Sequence, residues 1–168
     1  MKKVGIIYGS TSGKTEAVAE IIKKKLSGFE ISLIDVSRLK PSDLELYDNL
    51  ILGTSTWGLG DLQDDWDAFM PRLESANLDG KTIALFGLGD CESYSDTFVD
   101  GMGILYEAIR QKGCKFTGTT SVEGYSFSES RAINNGAFVG LPIDEENESN
   151  LTEERIGNWV SKIVSDFL

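Results

Sequence analysis

The stretch Tyr8-Gly9-Ser10-Thr11-Ser12-Gly13-Lys14-Thr15 lies between two patterns of different period. The apolar run Val4–Tyr8 before it is typical of a buried strand, and apolar residues recur at helical spacing from Val18 to Leu26 after it. A strand, a short loop and a helix N-terminus direct backbone N–H groups and the positive end of a helix dipole at an anion. The stretch therefore predicts an α/β unit with an anion site in its loop.

Hydroxyl groups make phosphate the best candidate for that anion. Ser10, Thr11, Ser12, Lys14 and Thr15 lie within six positions. One hydroxyl would be enough for a simple helix cap, so the four together favour phosphate binding. The loop is one residue shorter than that of nucleotide hydrolases, and no aspartate follows the next buried strand to hold magnesium. We therefore expect a single terminal phosphate and not a nucleoside triphosphate.

Short apolar runs alternate with helical patterns along the rest of the chain. Strands are predicted at Val4–Tyr8, Ile31–Ile34, Leu50–Thr54 and Ile83–Gly87, with a weaker one near Phe116. Helices are predicted at Thr15–Leu26, Gln63–Glu74, Phe98–Lys112 and Thr152–Phe167, with a short one near Ser42–Leu46. This alternation predicts one parallel sheet that is covered by helices on both faces.

Local signals refine this prediction at four places. Pro71 should kink or shorten its helix, and Thr152 is a plausible cap for the last one. The polar segment 121–137 interrupts the last strand; its aromatic residues favour an ordered excursion, with a flexible lid as the alternative. The acidic stretch Asp144–Asn150 reads most simply as a solvated connector.

Composition limits the classes of function. The 168 residues suit one domain, 1–168, and the net charge of −11 favours basic protein partners over nucleic acid or anionic membranes. The chain has no histidine, which excludes imidazole catalysis and histidine metal sites. Cys91 and Cys114 form no CxxC motif and indicate free thiols in a reducing compartment. With no targeting segment and no apolar run that could span a bilayer, we expect a cytoplasmic protein.

Two further loops should meet the first one. In a doubly wound sheet, ligands bind beyond the carboxyl ends of the strands. The loop after the third strand contains Trp57, which is either a core residue or a stacking wall for a flat ligand. The loop after the fourth strand offers Tyr94 as a second wall, and the backbone of residues 88–90 could bind the ligand's polar edge. A phosphate cup and two aromatic walls predict a flat cofactor with one phosphate.

These three loops and the late insertion resemble those of the long-chain flavodoxins, over essentially the whole chain. The resemblance implies a five-stranded doubly wound sheet of order 2-1-3-4-5 and non-covalently bound FMN. The implied cofactor-binding residues are Ser10, Thr11, Ser12, Gly13, Lys14 and Thr15 in the first loop, Ser55, Thr56, Trp57, Gly58 and Leu59 in the second, and Leu88, Gly89, Asp90, Tyr94 and Thr97 in the third. For Lys14, contact with the phosphate and exposure to solvent both remain open.

The resemblance also implies a function. A long-chain flavodoxin is a low-potential one-electron carrier and not an enzyme. The implied partners are redox proteins with basic docking surfaces, such as ferredoxin/flavodoxin–NADP reductase, pyruvate oxidoreductase or nitrogenase-type acceptors. We expect a monomer that binds neither nucleic acid nor membrane. The alternative is an FMN-dependent NAD(P)H:quinone reductase of the same fold, although we find no second nucleotide motif.

Cys91 replaces a polar residue that is usual in the third loop. It is either an exposed, oxidisable thiol near the cofactor or simply a small loop residue. We favour the second interpretation, because no basic side chain nearby in the sequence would lower its pKa.

Overall fold

The computed structural model describes residues 2–168, which form eleven strands and four α-helices. In chain order the strands are β1 (Lys2–Gly9), β2 (Phe29–Asp35), β3 (Asn49–Thr54), β4 (Thr56–Trp57), β5 (Asp61–Leu62), β6 (Thr82–Leu88), β7 (Lys115–Thr117), β8 (Thr120–Ser121), β9 (Ile133–Asn134), β10 (Ala137–Phe138) and β11 (Leu141–Ile143). The helices are α1 (Lys14–Lys25), α2 (Asp64–Ser75), α3 (Asp100–Ile109) and α4 (Thr152–Ile163). Short 3-10 turns lie at Val36–Arg38, Pro41–Leu46, Ser95–Thr97 and Ser149–Leu151.

The central sheet is parallel and confirms the predicted strand order. Its order is β2-β1-β3-β6, and β7 and β11 both pair with the far edge of β6. These two pieces together occupy the fifth position, because the insertion separates them in the sequence. β3 and β6 are buried along their whole length, as expected for parallel strands that are covered on both faces.

The helices cover the sheet in two layers. Successive side chains of a strand point to opposite faces, so Ile6 joins the core under α1 and α4 while Ile7 joins the core under α2 and α3. The apolar residues of α4 from Ile156 to Ile163 are buried on one face, and this pattern continues to the buried Phe167 beyond the helix. None of the helices formed by residues 2–168 has the length and apolar character needed to cross a bilayer.

Three local predictions were wrong. Of the two effects predicted for Pro71, the shortening of its helix is wrong, because α2 continues four residues further, to Ser75. Thr152 is not the cap of α4, because it is the first helical residue and its hydroxyl donates to the carboxylate of Glu145. α3 begins later than predicted, after Val99, whose φ of 48° is left-handed and separates it from the turn before it.

The insertion between β7 and β11 is ordered. Strands β8, β10 and β9 form a small antiparallel sheet, in that order. Phe127 stacks on Phe98 with 5.6 Å between ring centroids, and Tyr125 meets Phe138 edge-on at 5.3 Å. The prediction of a packed excursion is therefore confirmed, and these contacts favour it over the alternative of a flexible lid.

Candidate functional site

A cavity of about 170 Å³ lies at the carboxyl ends of β1, β3 and β6. All three predicted loops contribute to its lining. The lining residues are Ser12, Lys14, Thr15, Ser55, Thr56, Trp57, Gly58, Leu88, Gly89, Asp90, Tyr94, Thr97, Glu145 and Glu146. Twelve of the sixteen predicted residues are in this set; Ser10, Thr11, Gly13 and Leu59 are not.

The first loop leaves the N-terminus of α1 open. Gly13 stands at the cap position with φ of 91°, and no side chain within residues 2–168 caps the helix. Backbone N–H groups in the first turn of a helix have no intrahelical partner, so they can bind an anion. Ser10 and Thr11 shape the loop instead of lining the cavity: Ser10 Oγ accepts from Gly13 N at 3.0 Å, and Gln63 Nε2 donates to Thr11 Oγ1 at 3.3 Å.

Lys14 forms an ion pair with Glu146 on the edge of the cavity. Both side chains are about half exposed, at 46% and 52%. The hydrogen bond with Glu146 raises the pKa of Lys14, so the amine remains charged at neutral pH. Lys14 is therefore paired with a carboxylate at the cavity edge, and an anionic ligand in the loop would compete with Glu146 for it.

The second loop presents Trp57 at the surface. Its side chain is 43% exposed, so the interpretation of a core tryptophan was wrong. Trp57 Nε1 donates to Ser55 Oγ at 2.8 Å, which fixes the plane of the indole ring. Thr56 Oγ1 accepts from Gly101 N at 3.0 Å and anchors the loop to α3. Leu59 is 88% exposed and is not among the lining residues.

The third loop presents Tyr94, which is 45% exposed and lines the cavity. Asp90 Oδ1 accepts from Ser93 N at 2.9 Å and from Glu92 N at 3.1 Å, and so forms the turn that leads to Tyr94. Gly89 lies against the backbone of α3's entry, because a Cβ there would come within 2.9 Å of Val99 N.

Thr97 carries a buried hydrogen-bonding group that lines the cavity. Its Oγ1 is buried and, among residues 2–168, has no hydrogen-bond partner, although the residue lines the cavity. Leaving a buried polar group unpaired costs about 1–3 kcal/mol, so such groups are uncommon in native structures. The hydroxyl is therefore suited to a polar atom of a ligand.

Glu145 and Glu146 also line the cavity, and sequence reasoning missed them. The prediction of a solvated connector was wrong at its beginning, because Asp144 is fully buried. Asp144 Oδ1 accepts from the backbone N–H of Glu146 at 3.1 Å and of Asn147 at 3.0 Å, and these bonds form the turn that carries both glutamates. The sequence signal that could have identified this segment is Asp144, an acidic residue directly after the apolar strand that ends at Ile143.

Cys91 is buried beside Asp144. Burial, followed by a hydrogen bond with Asp144, raises the pKa of the Cys91 thiol to about 12. A thiol with such a pKa remains protonated and unreactive at neutral pH. The interpretation of an exposed, oxidisable thiol was therefore wrong.

Comparisons with known proteins agree with this fold and site. The family model described as Flavodoxin matches residues 6–159. The flavodoxin of Nostoc sp. strain PCC 7120 is 46% identical over 166 residues, which cover 99% of this chain and 98% of that one. The flavodoxin of Synechococcus elongatus is also 46% identical, and the match covers 99% of both chains.

A solved structure gives the same result for the backbone. The crystal structure of Fusobacterium nucleatum flavodoxin bound to flavin mononucleotide superimposes with a TM-score of 0.95 at 34% identity, covering 100% of both chains. The family model, the sequence relatives and the solved structure thus each match nearly the full length of the protein. The chain therefore belongs to the flavodoxin family.

Proposed function

We propose that this protein is a low-potential one-electron carrier that binds FMN non-covalently and passes electrons between redox proteins. We also propose that residues 1–168 form one domain. One observation carries the proposal: a single cavity is lined by an uncapped helix N-terminus, two partly exposed aromatic rings and an unpaired buried hydroxyl. FMN has an anionic phosphate and a flat ring with a polar edge. When bound, FMN would supply the electron-transfer chemistry.

Each part of the cavity fits one part of FMN. The N–H groups at the start of α1, with Ser12 and Thr15, would hold the phosphate. Trp57 and Tyr94 would cover the ring, because partly exposed aromatic side chains at a cleft provide flat apolar walls. Thr97 Oγ1 would bind a polar atom of the ring edge. We propose supporting roles for Ser10, Thr11 and Gly13, which shape the loop, and a surface role for Leu59.

The surrounding charge favours a low reduction potential. Asp90, Glu145 and Glu146 line the cavity, and the whole protein carries a net charge of −11. Adding negative charge to a group in this field is unfavourable, and more so where the aromatic walls exclude water. Each ~1.4 kcal/mol of such destabilisation lowers a one-electron potential by about 60 mV.

We infer that the protein is an electron carrier that docks to redox proteins and does not convert a substrate of its own. Leu59 and Trp57 are exposed beside the cavity, and the first turn of α2 adds Asp64, Asp65 and Asp67. An apolar rim with acidic surroundings suits transient docking to a redox protein with a basic surface. We propose ferredoxin/flavodoxin–NADP reductase, pyruvate oxidoreductase and nitrogenase-type acceptors as candidate partners of this kind. The unpaired Cys91 and Cys114 support a reducing, cytoplasmic location, and we propose a monomer.

A binding experiment tests this function. FMN-free protein is titrated with FMN and, separately, with riboflavin, which lacks the phosphate. We expect FMN to bind at submicromolar concentration and riboflavin at least tenfold more weakly. Equal affinities would contradict the phosphate site. Incubation of the FMN-loaded protein with NADPH and a quinone then tests the alternative, because turnover without an added reductase would indicate a quinone reductase.

A further inference from the structure

We propose that residues 128–131 of the insertion are a positioning segment for the cofactor site. They fix the backbone at Ser95–Phe98, which supports the side of the cavity formed by Tyr94 and Thr97, called the wall below. The part of this inference that concerns FMN rests on the function proposed above. The part that concerns the wall itself does not, since it describes contacts within the protein alone.

Backbone hydrogen bonds join the two segments directly. The carbonyl of Ser95 accepts from the N–H groups of Ser128 and Glu129, at 2.9 and 3.1 Å. In the opposite direction, Phe98 N donates to the carbonyl of Glu129 at 3.2 Å. The hydroxyls of Ser95 and Ser128 are 3.0 Å apart and form a further hydrogen bond. The positioning segment therefore forms hydrogen bonds with both ends of the turn that contains Thr97, at Ser95 and at Phe98.

Further contacts fix the chain just after this turn. Ser130 Oγ donates to the carbonyl of Phe98 at 2.5 Å, and Arg131 N donates to Asp100 Oδ1 at 2.8 Å. Val99 lies between these two anchors with φ of 48°, a conformation that is strained for a β-branched residue. Strained residues persist only where their surroundings determine the conformation, so the two anchors stabilise the entry to α3.

Aromatic packing adds to the hydrogen bonds. Phe98 is fully buried, and the ring of Phe127 stacks on it at an interplanar angle of 27°. Phe127 immediately precedes the positioning segment in the sequence, so the stack holds residues 128–131 against the turn.

The wall depends on these contacts because its other backbone bonds are local. Tyr94 N donates to the carbonyl of Asp90 at 3.0 Å, and Thr97 N donates to that of Tyr94 at 3.3 Å. Bonds of this kind shape a turn but do not place it relative to the sheet. Asp144 holds the start of the third loop through Cys91 N, and Gly60 packs against Thr97. The insertion adds the long-range hydrogen bonds of residues 95–98, and it thereby helps to set how far Tyr94 and Thr97 stand from Trp57 across the cavity.

The first experiment uses FMN-free protein and hydrogen–deuterium exchange. Ser128→Ala and Ser130→Ala each remove one side-chain hydrogen bond to the turn, and Ser126→Ala is the matched control, since Ser126 is exposed in the same insertion. We expect exchange at residues 95–98, including the Phe98 amide, to accelerate about fivefold in Ser128→Ala and Ser130→Ala, as the loss of one hydrogen bond implies. Ser126→Ala should match the natural sequence, and Ser130→Thr, which keeps a hydroxyl, should restore slow exchange.

The second experiment measures FMN affinity and the two one-electron potentials of the same variants. We expect Ser130→Ala to weaken FMN binding by about threefold to tenfold and to shift the potentials, whereas Ser126→Ala changes neither. Unchanged exchange at residues 95–98 in both Ser128→Ala and Ser130→Ala would overturn the positioning role. Changed affinity for a redox partner with unchanged FMN affinity would also overturn it, because the segment would then act as a partner contact. If the natural sequence did not bind FMN but the variants accelerated exchange, the proposed function would fail and the positioning of the wall would be supported.

Discussion

Asp144 and Cys91 are 53 positions apart in the sequence, yet Asp144 Oδ2 accepts a hydrogen bond from the backbone N–H of Cys91 at 3.0 Å. The other carboxylate oxygen of Asp144 holds the backbone of Glu146 and Asn147. Asn147 Nδ2 in turn donates to Asp90 Oδ1 at 2.8 Å. One buried carboxylate therefore joins the third loop to the segment that carries Glu145 and Glu146.

Asp144→Ala should destabilise the FMN-free protein. The substitution leaves the backbone N–H groups of Cys91, Glu146 and Asn147 without their acceptor, and we expect a loss of about 2–4 kcal/mol in the free energy of unfolding. Urea unfolding measures this difference. Asp67→Ala, which removes an exposed carboxylate from the first turn of α2, is the control and should cost less than about 1 kcal/mol. Equal losses in the two variants would contradict the role of Asp144.

The stabilising effect of Asp144 should depend on pH. Burial acts to raise the pKa of Asp144, but hydrogen bonds from Asn147 and Cys91 outweigh it and hold the pKa below its usual value. A carboxyl group with a lowered pKa in the folded state stabilises the protein above its unfolded pKa, which is about 3.9. This stability is lost as the pH falls through the folded pKa. The difference in unfolding free energy between the natural sequence and Asp144→Ala should therefore shrink below about pH 4. A difference that stays constant down to pH 2 would count against this explanation.

Trp57→Ala and Tyr94→Ala should each weaken FMN binding. Stacking of a flat ring on an aromatic side chain is worth about 1–3 kcal/mol, so we expect the dissociation constant to rise by about 5-fold to 150-fold. Fluorescence titration of the FMN-free variants measures this change. Leu59→Ala is the control, because Leu59 is exposed beside the same loop but does not line the cavity. If Leu59→Ala weakened binding as much as Trp57→Ala, the proposed wall would be misplaced.

The ion pair between Lys14 and Glu146 gives a prediction about the phosphate. Glu146→Gln removes a negative charge from the cavity edge and releases Lys14, so FMN should bind more tightly, by about twofold to tenfold at low salt. Lys14→Met should have the opposite effect, and both effects should decrease in high salt because exposed charges are screened. Glu153→Gln provides the control, since Glu153 pairs with Lys25 and is not among the lining residues. Salt-independent affinities in all three variants would exclude an electrostatic role for the pair.

The sequence predicted those parts of the site that follow regular strand and helix patterns. The first loop could be predicted as an anion site because Val4–Tyr8 and the pattern after Thr15 define a strand before it and a helix after it. Trp57 was identified as a candidate wall because an aromatic residue in a loop is costly unless it covers something, although a core position remained the alternative. Tyr94 was identified from its position in the loop after the fourth strand.

The missed residues depend on contacts between distant segments. Glu145 and Glu146 line the cavity because Asp144 is buried against Cys91, and no local pattern encodes that pairing. Thr152 resembled a helix cap by residue type, but its hydroxyl is held by Glu145 from the preceding turn. The contacts of residues 128–131 could not be predicted for the same reason, since their partners lie about thirty positions earlier.

The most direct test of a one-electron carrier is the stepwise anaerobic reduction of the FMN-loaded protein, followed by its visible spectrum. The acidic cavity should separate the two electron additions, because the second one places negative charge in an unfavourable field. We predict two resolved one-electron steps, with the second at the lower potential. A single two-electron step, or a protein that remains colourless in micromolar FMN, would contradict the account.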